Sequence, residues 1–374
     1  MPPHIGGIEL VADSLYRAYL AAGFEARWVA AREPGTAAAR ENGRIRVSCW
    51  NGLERKLGVP WPIFGIEGLQ ELRTLVRWAD VLHAHDSLYE ASAVAALLAR
   101  RARKPLILSQ HIGFVKYRSK LLNGVEHLAN QTLGRAVLCS ATRLVFCTTA
   151  AKLFAEPFIN GEGVKSSFIP NGIDTDRFRP PTSTERESAR RTLGVPTAAR
   201  VALFVGRLVE KKGVDVLAEL IERTPSHFFL IVGDGPLRTL IPKEAANLAL
   251  FPEVAPEQMA KFYQASDVFV LPSHGEGLPL SVQEAMASGL PVIVSRDEAF
   301  VEVLDHEGAC AATARTSEAF CDSLERLASD QGVYTTLSDR SRELAVRDWS
   351  LDVMTERYIS LIHELPLKSD EAFV

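Results

Sequence analysis

Residues 266–296 read SDVFVLPSHGEGLPLSVQEAMASGLPVIVSR, and the fold follows from this stretch. SDVFVLPS and LPVIVSR are short runs of β-branched, aromatic and aliphatic residues that read as buried strands. Between them the chain turns through Gly275 and Gly277, enters a helix near Leu280 and leaves it at Gly289. Strand, glycine turn, helix and strand make up the repeating unit of a parallel sheet covered by helices. Working outward, VALFVGRL (201–208) and HFFLIVGD (227–234) give two more strands of the same kind, with helix-period segments between them. Ligands of such sheets sit at the carboxyl ends of the strands, so the residues just after these runs are the candidates for chemistry.

The first half repeats the plan less cleanly. DVLHAHD (80–86), PLILSQH (105–111) and TRLVFCT (142–148) read as strands, and residues 9–22 as an amphipathic helix. The segment SFIPNGIDTDRFRPP (167–181) joins an Asn-Gly turn to several prolines and loses periodicity, which marks a linker. The expected organisation is therefore α/β, with one Rossmann-like domain over residues 1–170 and a second over 171–347. Residues 348–374 form a C-terminal helix in which Trp349 anchors a return towards the first domain. Gly6 and Gly7 occupy the place of a glycine turn that a strand should precede, so the first strand of the N-terminal domain is expected to be missing.

Composition narrows the class. A chain of 374 residues, 47% hydrophobic and 24% charged, is an ordinary folded protein too long for one core. It holds no run of about 18 uncharged apolar residues and opens without a basic leader, which leads us to expect a cytoplasmic protein. Cys49, Cys139, Cys147, Cys310 and Cys321 are scattered with no CxxC pair, so neither a disulfide framework nor a zinc site is indicated. The net charge of −4 divides unevenly: residues 1–170 carry 21 Lys+Arg against 14 Asp+Glu, a local excess of +7. Much of the excess lies in RRARK (100–104) and in Lys116, Arg118 and Lys120. It suits either a solvated face or peripheral contact with the anionic cytoplasmic face of a membrane. No aromatic-interleaved basic motif accompanies it, which argues against nucleic acid.

Three segments carry chemistry. In HGEGLPLSVQEAMASGLPV the backbone N–H groups around Gly277 and Leu278 meet the positive end of a helix, a natural diphosphate site. Glu276 and Glu284 flank that site, one able to face a sugar and the other a ribose, although two glutamates eight apart are also compatible with an exposed helix and loop. In VALFVGRLVEKKGVD, Arg207 and Lys212 fall at the carboxyl edge of the sheet, where fixed cations stabilise a departing diphosphate without a metal; the alternative is a surface ion-pair cluster with Glu210 or Asp215. LIVGDGP supplies a further glycine turn after a strand.

With GGIE near the start, PNGIDTDRF at the linker, GRLVEKKG, and SHGEGLPLSVQEAMASGLPV with its E-x7-E spacing, nearly the whole chain resembles family 4 of the retaining glycosyltransferases. That resemblance implies the GT-B fold, two Rossmann-like domains facing across a cleft, with the nucleotide-diphosphate sugar held by the C-terminal one. It implies that Arg207 and Lys212 bind the diphosphate, Glu276 contacts the transferred sugar and Glu284 the ribose, while Gly6 and Gly7 let the first-domain loop approach the phosphate and acceptor. His111 matches a histidine that faces sugar or acceptor, with a hydrogen-bonded strand-end histidine as the structural alternative. His83 and His85 are read as structural, and base contacts are expected near Phe251 and Val254. No cofactor or metal is implied: Asp174-Thr175-Asp176 has the spacing of a metal motif but lies in the linker pattern. Pro279 stands where many members have glycine, and at a helix start it leaves the anion site intact. The implied activity is transfer to a saccharide or lipid-linked acceptor in surface polysaccharide or glycolipid synthesis. A nucleotide-sugar 2-epimerase and an inactive donor-binding or scaffold subunit remain open.

Overall fold

The computed structural model describes residues 7–32, 40–50, 63–113, 120–159, 161, 163–242, 245–296 and 301–366. Gly6, the question of an opening strand, and Lys116 and Arg118 of the basic stretch lie outside the described residues. The chain divides into two compact units, Met1–Asn171 with Met354–Val374, and Gly172–Val353.

In the first unit a helix over Gly7–Ala21 leads to β1 (Trp28–Arg32), β2 (Arg40–Glu41), β3 (Arg44–Trp50) and β4 (Ile63–Phe64). β1 runs parallel to β3, which pairs antiparallel with β2 and β4. A second sheet is fully parallel, in the order β5 (Leu82–His85), β6 (Leu106–Gln110), β7 (Arg143–Phe146) and β8 (Ser166–Phe168). β6, flanked by β5 and β7, is buried along its whole length; Ile107 and Leu108 have no exposed surface. The sequence places residues 80–86 in a strand, whereas β5 ends at His85. Asp86 already has φ +58°, a left-handed backbone that no strand accommodates. The segment 167–181, read as linker throughout, begins inside β8.

The second unit is a six-stranded, wholly parallel sheet in the order β11-β10-β9-β12-β13-β14. These strands are β9 (Arg200–Val205), β10 (His227–Val232), β11 (Leu248–Phe251), β12 (Val268–Leu271), β13 (Val292–Ser295) and β14 (Ala311–Thr313). From β9 the chain winds outward through β10 and β11, then crosses back to β12 on the other side of β9. The β9/β12 pair is therefore the point where the winding reverses, the place where sheets of this kind bind their ligands. Phe204, Phe229 and Phe269 have no exposed surface and form the centre of the core. Each carries roughly 1.5–3 kcal/mol of hydrophobic stabilisation.

The last helical region is two helices, Gln331–Trp349 and Leu351–His363, broken at Ser350. Trp349 is buried in the core of the second unit, not in a return to the first. Its carbonyl accepts the Ile173 N–H at 2.7 Å, and the Ile173 carbonyl accepts the Leu351 N–H at 2.9 Å. Buried in this way, the indole belongs with the residues that precede Ser350.

Candidate functional site

Two groups of side chains stand out, one in each unit. In the second unit the group is built on the reversal point of the sheet. Gly206 follows β9, and its N–H donates to the Val232 carbonyl at 3.0 Å, extending the pairing by one residue before the chain turns away at Arg207. The next turn, Glu210–Lys212, is closed by Gly213 at φ +72°. A Cβ there would lie 1.9 Å from the Pro272 carbonyl oxygen, so this loop approaches the end of β12 through glycine alone. The His274 N–H then donates to the Lys211 carbonyl at 2.9 Å, tying the loop after β12 to the loop after β9.

This clasp brings the predicted residues together. Lys212 Nζ lies 3.3 Å from Glu276 Oε2, and Lys211 Nζ lies 3.8 Å from Glu276 Oε1. The Lys212 and Glu276 side chains retain only 17% and 13% of their exposure, so their pairing is little screened by water. Arg207 is exposed and forms no ion pair with any described residue. Asp215, one of the two alternative partners, pairs instead with Arg315 at 2.9 Å.

Gly277 and Leu278 lead into the helix Leu280–Ala287, with Pro279 as the residue before its first turn. The Pro279 carbonyl accepts the N–H groups of Val282 and Gln283, while those of Leu280 and Ser281 find no acceptor among the described residues. Pro279 offers no side-chain cap, so this helix end keeps its capacity to bind an anion.

Glu284 lies on the same helix. Its Oε2 accepts a hydrogen bond of 2.6 Å from the hydroxyl of Tyr263, a residue with no exposed surface. Burial pushes the Glu284 carboxyl up to about 7, against the opposing pull of the Tyr263 hydrogen bond and the nearby Arg177 charge. The Tyr263 ring meets Phe178 edge-on at 5.5 Å and stacks on Phe269 at 6.3 Å, so its hydroxyl has little freedom. Nothing in the local sequence of Tyr263 marks it as a partner of Glu284. Phe251 ends β11 with its carbonyl accepting the Gly233 N–H at 2.9 Å and its ring edge-on to Phe262 at 4.9 Å. Val254 packs on the core beside it.

In the first unit, His83 and His85, two apart on β5, share a face and stack with ring centroids 4.6 Å apart; His85 and His111 stack at 5.2 Å. His83 Nδ1 is 3.1 Å from the Tyr19 hydroxyl and its Nε2 is 2.7 Å from Ser109 Oγ, which in turn bonds the Tyr358 hydroxyl at 2.7 Å. His85 Nδ1 and His111 Nε2 are 2.9 Å apart, one donating and the other accepting. Burial lowers all three histidines, His85 to about 4 and His111 to about 3, so the array is neutral near pH 7. Among the described residues, no group of three His, Cys, Asp or Glu has the geometry to hold a metal ion.

Asp86 is the residue that sequence reasoning passed over. It is buried in its left-handed backbone, and its Oδ1 accepts the His111 and Ile112 N–H groups at 2.8 and 3.2 Å. Oδ2 has no partner among the described residues, and burial raises the carboxyl to about 7. A non-glycine residue in that conformation at the carboxyl end of a buried strand signals a constrained site. The signal lies in backbone geometry, which the sequence DVLHAHD does not disclose. Gly7, exposed, opens the first helix.

Residues 5–177 match the family described as Glycosyltransferase Family 4, and residues 185–344 match Glycosyl transferases group 1. The chain is 34% identical over 271 residues to a D-inositol 3-phosphate glycosyltransferase of Corynebacterium aurimucosum, covering 67% of this chain and 64% of that one. It is 33% identical over 219 residues to TuaC of Bacillus subtilis, a glycosyltransferase provisionally assigned by name to teichuronic acid biosynthesis. That match covers 58% of this chain and 53% of TuaC, so the chain spans about half to two thirds of the length of these relatives. Among solved structures, sucrose-phosphate synthase of Thermosynechococcus elongatus superposes with a TM-score of 0.75 at 18% identity, covering 97% and 94% of the two chains. Anabaena HepE in complex with UDP-glucose gives 0.71 at 16% identity, covering 96% and 97%. The shared fold is GT-B.

Proposed function

We propose, from the premise that the chain belongs to the family 4 glycosyltransferases with their group 1 second half, that it moves a sugar from a nucleotide-diphosphate sugar to a saccharide or lipid-linked acceptor. The observation that carries this reading is the Lys212–Glu276 pair at the reversal point of the second sheet. A diphosphate sugar offers each member a better partner: phosphate oxygens for Lys212, sugar hydroxyls for Glu276. Exchange of the pair for these contacts puts a cation on the leaving group and a carboxylate on the sugar. In this scheme Arg207 shares the diphosphate with Lys212, and the amides around Gly277 and Leu278 add the helix end.

Glu284, oriented by Tyr263, accepts the ribose hydroxyls, and the backbone near Phe251 and Val254 meets the base. Gly6, Gly7 and His111 serve the acceptor side. Transfer proceeds with retention and without a metal, the cations taking the part a divalent ion plays elsewhere. The kinship with TuaC and with an inositol-phosphate glycosyltransferase favours an acceptor in surface polysaccharide or glycolipid synthesis. No described helix is long and apolar enough to cross a membrane, and we place the protein in the cytoplasm, touching an anionic membrane through its basic first unit.

The deciding experiment is a mass-spectrometric screen of UDP-, GDP- and ADP-sugars for release of free nucleotide, with and without saccharide acceptors. Acceptor-dependent release from one donor is expected. Formation of an epimerised donor without acceptor would make the protein a 2-epimerase, and neither binding nor turnover of any donor would end the proposal.

A further inference from the structure

His83 and His85 on β5, Ser109 on β6, His111 just past it and Cys147 just past β7 lie on one face of the first unit's parallel sheet. Residues two apart on a strand share a face, and the register sets His85 beside Ser109 and Ser109 beside Val145. The helices Gly7–Ala21 and Leu351–His363 bring Tyr19 and Tyr358 to the same face, within the first unit. Ser109, Cys147 and Tyr358 are at most 2% exposed, so their hydrogens go to one another and not to water. A polar network closed off in this way has to place every hydrogen, and the placement fixes what His111 can do.

The hydrogens run one way. An imidazole nitrogen is more basic than a phenol oxygen, so the Tyr19 hydroxyl, 3.1 Å from His83 Nδ1, is the donor. Burial keeps that phenol protonated and His83 neutral, which leaves the single ring hydrogen of His83 on Nε2. Nε2 donates to Ser109 Oγ at 2.7 Å, and Ser109 gives its own hydrogen to the Tyr358 hydroxyl at 2.7 Å. Tyr358 next meets Cys147 Sγ at 3.9 Å, and Sγ meets His111 Nε2 at 3.9 Å. Burial holds Cys147 as the thiol, a weak acceptor whose S–H finds its better use on the ring nitrogen. His85 Nδ1 reaches that same nitrogen at 2.9 Å. With Nε2 receiving, the one hydrogen of neutral His111 stands on Nδ1, which has no partner at hydrogen-bond geometry among the described residues, while Asn171 acts on the ring in the sense that favours its proton. We propose that this network, running from Tyr19 through His83, Ser109, Tyr358 and Cys147 and closed by His85, locks His111 in the Nδ1–H form, so that His111 is a hydrogen-bond donor to a substrate oxygen and not a base. The inference rests on the acceptor-side place of His111 in the proposed function and gives that place its chemistry. His85 is then a positioning residue, acting on substrate only through the proton it fixes on His111.

The test is nitrogen-15 NMR of the full chain carrying isotope-labelled histidine, without donor at pH 7, with His111 assigned by the loss of its signals in His111→Gln. The shifts of the two ring nitrogens separate the tautomers directly. A protonated Nδ1 beside a bare Nε2 is expected in wild type; a protonated Nε2, or both tautomers in exchange, would overturn the lock. His85→Phe keeps a ring in the stack and removes the nearest donor, so His111 should sample both tautomers. Tyr19→Phe removes only the hydroxyl at which the chain of donors begins, so His83 should do the same. An unmoved His111 in the first variant would overturn the part given to His85, and an unmoved His83 in the second would overturn the direction of the network. Loss of one such hydrogen bond corresponds to a fall of about two- to tenfold in acceptor-dependent kcat for His85→Phe, with nucleotide Kd unchanged because the proposed nucleotide site lies in the second unit. An unchanged kcat would overturn the donor role of His111. The spectrum is read without substrate, so a protein that turns over no donor would end the transferase reading and leave the lock standing.

Discussion

Replacing Tyr263 by phenylalanine tests the proposed donor site at a group that the proposal keeps away from the substrate. The ring keeps its contacts with Phe178 and Phe269, and the polar losses are the 2.6 Å hydrogen bond to Glu284 Oε2 and a longer contact of 3.4 Å with the Ser281 carbonyl. A short hydroxyl-to-carboxylate bond of this kind is worth about 1.5–3 kcal/mol to the ionised form, equivalent to about one to two pKa units. Glu284 already stands at about 7 through burial, so the substitution moves its titration to roughly 8–9. If the ionised carboxylate is the form that accepts ribose hydroxyls, half of the wild type is competent at pH 7 but only about 1–9% of the variant. Nucleotide Kd at pH 7 should therefore rise by about 5- to 50-fold, and the deficit should shrink to about twofold or less by pH 9 when the shift is one unit. Isothermal titration calorimetry with the nucleoside diphosphate between pH 6 and 9 reads both quantities. An unchanged Kd, or a loss of affinity equal at every pH, would refute the coupling, because disturbed packing has no reason to heal as Glu284 ionises.

Glu276→Gln should lower turnover severely while leaving nucleotide affinity within a few-fold, whereas Arg207→Ala should weaken both; full activity in Glu276→Gln would remove that residue from the site. Gly213→Ala places a methyl group 1.9 Å from the Pro272 carbonyl in a backbone with φ +72°, and should lower the melting temperature clearly and donor affinity with it, since Lys212 precedes it; calorimetry and nucleotide titration check this. Asp86→Ala leaves the His111 and Ile112 N–H groups without their acceptor and should cost about 2–6 kcal/mol in urea unfolding, far more than Asp86→Asn, which keeps an oxygen in place. The pH dependence of stability gives a further check. His85 and His111 have folded values below the unfolded 6.5, so the unfolded chain takes up protons first and their contribution is lost as pH falls from 6.5 towards about 3. Asp86, raised to about 7, acts with the opposite sign, since its contribution is present at low pH and is lost as pH rises through 7. Asp86→Asn removes that counterweight and should steepen the decline between pH 6.5 and 4.5 by about 1.4 kcal/mol per pH unit; an unchanged slope would mean that Asp86 is ionised throughout this range.

What the sequence determined by itself is local. Runs such as VALFVG and DVFVLPS identify buried parallel strands, because only a sheet covered on both faces tolerates them, and glycines at the strand ends locate the turns. The E-x7-E spacing and the GRLVEKKG segment name the residues of the proposed donor site, since strand ends are where such a sheet exposes chemistry. What the sequence left open is decided where distant strands meet. Lys212 and Glu276 pair only because β12 lies beside β9, with Gly213 letting one loop press against the other. Tyr263 reaches Glu284 across a helix and a strand, and Asp86 grips the His111 N–H from just past the end of β5. The histidines of β5, read as strand residues, turn out to share a stacked and neutral array with His111. Trp349, read as an anchor to the first unit, is buried in the second. A periodicity states which residues are buried, but not which neighbour buries them: the order of strands and the crossings between them set that choice, through contacts whose partners lie tens to hundreds of residues away.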